Sequence, residues 1–333
     1  MLVQVLALIS CLAAAAAIAV GAVGVFRVFK MQQQAPPPHL DAQGQAAEVL
    51  QQQLATEPGG FAGLVRQLRN GRGKAAQRRA LQQLYQAADH DVLRQQLAEA
   101  AGLVTGVVRL LGSRDSGLQQ AAPQCLSRLS GDWRTIRLQI SSAPGAVEGL
   151  VKLLISSSQH SQEFAAGTLC HLAVLEAVVE EIAAEPGATE ALVQLLGSSS
   201  VGVQRAASGA LGNLALACKP LQHRIADEEG ALEQLVQLLG SSNEGVQGQA
   251  AGALECLTHD DLALQERLAE QPGAIEGLVE LISSRCSRRG LVSPAVLAAA
   301  AGALGNIAQS NEDMKQWVAA EPGLLVWKCD PRT

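Results

Sequence analysis

The stretch "ATEALVQLL" (Ala188–Leu196) gathers Leu192, Val193, Leu195 and Leu196 on one side of a 3.6-residue period and predicts a short amphipathic helix. A turn, Gly197–Ser200, follows; its serines are suited to cap whatever comes next. Val203, Ala207, Ala210, Leu211 and Leu214 then recur at i, i+4, i+7, i+8 and i+11, which predicts a longer helix. "KPLQHRIADE" closes the unit as a shorter helical segment, and the pattern restarts. Its starting glycines are Gly59, Gly102, Gly145, Gly187, Gly230, Gly273 and Gly323, at intervals of 43, 43, 42, 43, 43 and 50 residues. The Gly of each turn supplies a positive φ, and the Pro that often precedes it ends the previous helix. Periodicity this regular predicts a helical solenoid of about six units, with a period of about 43, between residues 47 and 322.

Some units depart from the pattern. The long helix of the first is polar (Gln77, Arg78, Arg79), as expected of a terminal, capping repeat. The second carries Pro123 where its neighbours carry Ala, which should kink that helix. In the sixth the extra residues fall in "SRCSRRGLVS" (284–293), a basic loop whose Arg285, Arg288 and Arg289 form a candidate contact for phosphate or an acidic partner. Pro294 then restarts a helix where a missing N–H costs little. Residues 323–333 open a seventh unit and stop. Folding back as an improvised cap, pairing with a partner and truncation are all open readings of that tail.

Before the repeats, Leu2 to Phe26 runs without a charged side chain. As a helix it would extend about 37 Å, enough to cross a hydrocarbon core of about 30 Å. It lacks the basic n-region and short apolar core of a cleaved signal peptide, although Ala13–Ala17 would offer a cleavage site. A membrane anchor spanning residues 1–30 is the expectation. Arg27 and Lys30 follow the run and no Lys or Arg precedes it, so the repeats are expected on the cytosolic side. The Pro/Gln-rich residues 31–46 read as an extended spacer.

Composition narrows the class. Apolar residues make up 48% of the chain but aromatics only 2%, so a core would be packed from Leu, Val, Ile and Ala on closely spaced helices. The fold class is all-α. The net charge of -6 conceals a polarity: residues 45–144 carry 12 Lys+Arg against 7 Asp+Glu, and residues 145–333 carry 11 against 23. One end favours an acidic surface, anionic lipid included, and the other a basic partner. Seven scattered cysteines without a C-x-x-C pair fit reduced, mostly buried thiols.

The three-helix unit, the period and the phrase "GAxxxLVxLL…VQxxAxxALxNLA" resemble the armadillo repeat, over roughly Val49 to Pro322. The resemblance implies a right-handed superhelix whose long helices line a concave groove for an extended peptide or helix. It also implies that an Asn near the end of each long helix grips the peptide backbone. The matching positions are Gln83, Arg128, His171, Asn213, Cys256 and Asn306, so the Asn is present only at 213 and 306. Nuclear-import adaptors of the family place a Trp four residues earlier, where this chain has Gly209 and Gly302; that weighs against nuclear-signal recognition. Bonding to neighbouring helix ends is the other role open to the two Asn side chains.

No catalytic, nucleotide-binding, cofactor or metal motif is present, and "EAVVEEIAAE" (176–185) reads as a solvated acidic helix face. A nucleic-acid surface would want aromatics among its basic residues, and the basic half offers only Tyr85 and Trp133. The expectation is a non-enzymatic scaffold for protein partners, tethered to a membrane. The alternatives are a substrate adaptor in ubiquitin ligation and a soluble cargo adaptor with a processed N-terminus.

Overall fold

The computed structural model describes residues 60–70, 73–131, 133–283, 293–310 and 315–316. The anchor segment 2–26, the spacer 31–46, the basic loop residues Arg285, Arg288 and Arg289, and the tail 323–333 lie outside them. The described residues form seventeen helices and no strand. They fall into two compact units, one within residues 35–188 and one within 189–333. In the first, helices run α1 Gly60–Asn70, α2 Lys74–Ala87, α3 Asp91–Glu99, α4 Leu103–Leu111, α5 Ser116–Ser130, α6 Arg134–Ser141, α7 Ala146–Leu154, α8 Gln159–Leu172 and α9 Glu176–Ala184. The second contains α10 Ala188–Leu196 (from Thr189 onward), α11 Val201–Ala217, α12 Lys219–Asp227, α13 Ala231–Leu239, α14 Glu244–Leu257, α15 Leu262–Ala269, α16 Ala274–Ser283 and α17 Pro294–Ser310.

The first five repeats are each a post-glycine helix, a long helix and a short helix, and the sixth shows the first two of these among the described residues. The predicted turn glycines adopt the left-handed region: Gly102, Gly145, Gly187, Gly230 and Gly273 have φ between 75° and 79°. In the first repeat Gly60 has a φ of 52°, and the glycine that the period selects, Gly59, lies outside the described residues. Four of the long helices, α5, α8, α11 and α14, start on side-chain caps in the same register. Asp115, Ser158, Ser200 and Asn243 accept from the backbone N–H groups of Leu118, Ser161, Val203 and Val246 at 3.1, 3.3, 3.4 and 3.1 Å. Pro123 lies inside α5, which continues through it from Ser116 to Ser130.

Within each unit, like helices stack on like. In the first, α1 packs on α4 and α4 on α7, while α2 packs on α5 and α5 on α8. In the second, α13 packs on α16, and the long helices α11, α14 and α17 follow one another. Glycine notches bring the post-glycine helices together: a Cβ on Gly106 would stand 3.2 Å from Leu68 Cβ, and one on Gly149 would stand 3.1 Å from Leu111 Cδ1. Gly277 repeats the arrangement against Leu239, at 3.2 Å. The apolar positions read from the pattern are all buried, Leu192, Val193, Leu195, Leu196, Val203, Ala207, Ala210, Leu211 and Leu214 among them. Among the described residues no helix is long and apolar enough to cross a membrane.

Candidate functional site

The long helices place Arg128, His171, Asn213, Cys256 and Asn306 at one register, near their C-terminal ends, while Gln83 falls about one turn earlier on α2. Gln83 on α2 is half-buried and Arg128 on α5 is exposed; His171 on α8, Asn213 on α11 and Cys256 on α14 are buried. Asn306 on α17 is half-buried. Three of them reach back to the end of the preceding long helix. The Arg128 guanidinium pairs with the carboxylate of Asp89, just beyond α2. Nδ1 of His171 lies 2.9 Å from the hydroxyl of Ser130, the last residue of α5. Asn306 donates from Nδ2 to the Glu255 carbonyl at 3.0 Å and to the Thr258 hydroxyl at 3.1 Å, at the end of α14.

This pairing has its own register. Ser130 and Thr258 occupy one position of the repeat, and the next repeats answer them with His171 and Asn306. At the same position Ala215 stands before a repeat that carries Cys256. The hydroxyls at the ends of α5 and α14 are thus met by a polar ring and an amide on the next long helix. Sequence reading singled out one side of these pairs and missed the other. The signal was the second residue after the candidate position, where Ser130 and Thr258 stand in a column with Ala173, Ala215 and Ala308.

Asn306 and Thr258 should therefore be energetically coupled. A double-mutant cycle of Asn306→Ala and Thr258→Ala, read by amide exchange in α14 and α17, is expected to give a coupling of about 1 kcal/mol. Additive effects would mean that Asn306 contributes nothing between the helices.

The other titratable groups along these faces are engaged in helix ends and repeat junctions. The Arg78 guanidinium, 2.6 Å from the Asp115 carboxylate, holds that carboxyl below its ordinary value; the Leu118 N–H and Lys74 add to this against partial burial. At Asp261 burial works against ionisation, but the Leu264 N–H and His223, whose Nε2 is 2.8 Å away, outweigh it and lower the pKa. Burial pushes the Cys125 thiol up to about 12 and raises that of Cys256 as well, with the Glu255 charge adding to the second shift. Both stay protonated and unreactive near neutral pH. Among the described residues no three His, Cys, Asp or Glu side chains converge to hold a metal ion.

Comparison with known proteins bears on this geometry. Residues 179–216 and 225–259 match the family model of the Armadillo/beta-catenin-like repeat. The repeats are armadillo-like. Solved structures agree over most of the chain. A crystal structure of an engineered protein is 29% identical, with a TM-score of 0.66, covering 76% of this chain and 98% of its own. A second engineered protein is 28% identical, with a TM-score of 0.70, covering 90% of this chain and 72% of its own. A designed armadillo repeat protein, solved in complex with the peptide (KR)4, is 26% identical, with a TM-score of 0.63; the match covers 74% of this chain and 99% of that one. No curated protein matches the chain. The armadillo family and an all-helical, armadillo-like solenoid are thus supported by a family model and by structural likeness.

Proposed function

We propose that the chain is a non-enzymatic scaffold that binds extended protein segments along its long-helix faces and is held at a membrane by residues 2–26, with the repeats on the cytosolic side. The observation that carries the binding reading is the row of long helices α11, α14 and α17, stacked in register as in an armadillo array. A designed relative with such repeats was solved with the basic peptide (KR)4. The acidic balance of residues 145–333 suits a basic segment of that kind. A row of helices already packed in place needs little reorganisation, which lowers the cost of ordering a bound peptide. The tether rests on the uncharged run from Leu2 to Phe26 and on the basic residues that follow it. It would raise the effective concentration of the repeats for partners on the same membrane.

Expression of the chain with a C-terminal tag, followed by alkaline carbonate extraction of membranes and protease added from the cytosolic side, tests the tether. Full-length, carbonate-resistant protein whose tag is lost to protease supports it. Soluble protein, or protein shortened at the N-terminus and shielded from protease, rules it out. Titration of the full chain with a labelled alternating Lys/Arg peptide tests the groove: binding that weakens as salt rises is expected, and equal binding of an acidic peptide of the same length would sink the reading.

A further inference from the structure

The post-glycine helices carry a charge pattern that the groove does not use. On α1 the exposed residues Ala62, Arg66 and Arg69 lie at i, i+4 and i+7, along one stripe. On α4 the same register exposes Thr105 and Arg109, and Gly112 and Arg114 are exposed in the turn that follows. The notch at Gly106 seats Leu68, so the two helices pack in direct contact and their stripes run side by side, about 10 Å apart. On α7 the register continues with Glu148 and Lys152, which neutralise one another as an ion pair.

Two carboxylates of this unit are occupied on other faces: Asp115 by Arg78 and Lys74, Asp89 by Arg128. The ion pairs among its described residues involve Lys74, Arg78, Arg128 and Lys152 and none of Arg66, Arg69, Arg109 or Arg114. Four guanidinium groups therefore stand on or beside one outward face. In the second unit the same register is acidic or neutral, with Glu190 and Gln194, Glu233 and Gln237, Glu276 and Glu280.

We infer that the stripe of Arg66, Arg69 and Arg109, with Arg114 at its edge, docks the first unit on the anionic lipid of the membrane that holds the N-terminal segment. The inference rests on the tether reading above. Two observations favour lipid over other polyanions. Only 29 residues lie between Lys30 and Gly60, a reach of about 100 Å even fully extended, so the tethered unit stays within reach of the surface. The exposed residues between the arginines are Ala62, Thr105 and Gly112, which offer no ring for stacking on a base. A flat, diffuse negative charge is what such a face complements.

Full-length chain reconstituted into vesicles provides the test. One set is phosphatidylcholine alone; the other contains phosphatidylserine at about one lipid in three. Flotation with the neutral vesicles reports the anchor. Modification of individual arginines by phenylglyoxal, read by mass spectrometry, reports the stripe. At about 0.01 M salt, where the Debye length is about 30 Å, Arg66, Arg69 and Arg109 are expected to react about five-fold more slowly on the anionic vesicles. Arg224 and Arg267 in the second unit should not change. The difference should vanish at about 1 M salt. Equal rates on both vesicles, with the chain floating in each, overturn the stripe and leave the anchor standing. A chain that fails to float with neutral vesicles overturns the anchor, and protection on anionic vesicles then supports the stripe by itself. Protection by a soluble polynucleotide and none by vesicles overturns the lipid assignment.

Discussion

Gly212→Leu is expected to destabilise the second unit by about 3 kcal/mol, seen as amide exchange in α11 and α14 faster by roughly two orders of magnitude. Gly212 faces backbone: a Cβ there would stand 3.2 Å from Ala253 Cα and 3.5 Å from both its N and its Cβ. A backbone atom cannot swing aside as the tip of a long side chain can, so a larger residue must push the two long helices apart. That would open a seam lined by Ala207, Ala210, Ala250 and Ala253, all buried. Gly212→Ala tests the same contact more gently. Alanine gains about 1 kcal/mol of helix propensity over glycine in a helix interior. Here that gain is opposed by a contact a few tenths of an ångström too short, so the net change should be small. A harmless Gly212→Leu would show that α11 and α14 are not held at this spacing.

The same close approach explains which parts of the fold were legible in the sequence. Turn glycines and helix caps obey local rules, so Gly102, Gly145, Gly187, Gly230 and Gly273 are found at the expected positions, and Ser200 caps α11 as its turn suggested. In the first repeat the expected turn glycine, Gly59, lies outside the described residues, and its neighbour Gly60 has a positive φ. The partners of the groove candidates were not legible in this way. That His171 meets Ser130, or Asn306 meets Thr258, depends on how one long helix is rotated against the next, and no single helix carries that information. The division into two units was hidden as well, since it falls between Ala188 and Thr189, within a repeat of unbroken spacing.

In the first unit the largest polar effect is expected at Arg137. This residue of α6 is only 7% exposed. Its Nε donates to the Ser130 carbonyl at 2.7 Å and its Nη2 to the Gly131 carbonyl at 2.8 Å, at the end of α5. Those carbonyls belong to the last turn of a helix and have no partner within it, and the partial negative charge there favours a cation. Arg137→Met keeps the apolar stem and removes the donors, leaving two carbonyls in need of water at a buried junction. A loss of about 2–3 kcal/mol is expected, read as faster exchange in α5 and α6. Gln265 supplies the contrast, because it stands at the same register and donates to the Thr258 carbonyl at 3.0 Å. It is a neutral donor making one such bond, and its buried Oε1 has no donor opposite it among the described residues. Gln265→Met gives up less and also removes that unmet acceptor, so its cost should stay below about 1 kcal/mol. Equal losses at the two positions would mean that the charge of Arg137 adds nothing at the helix end, and that the repeats are joined there by packing alone.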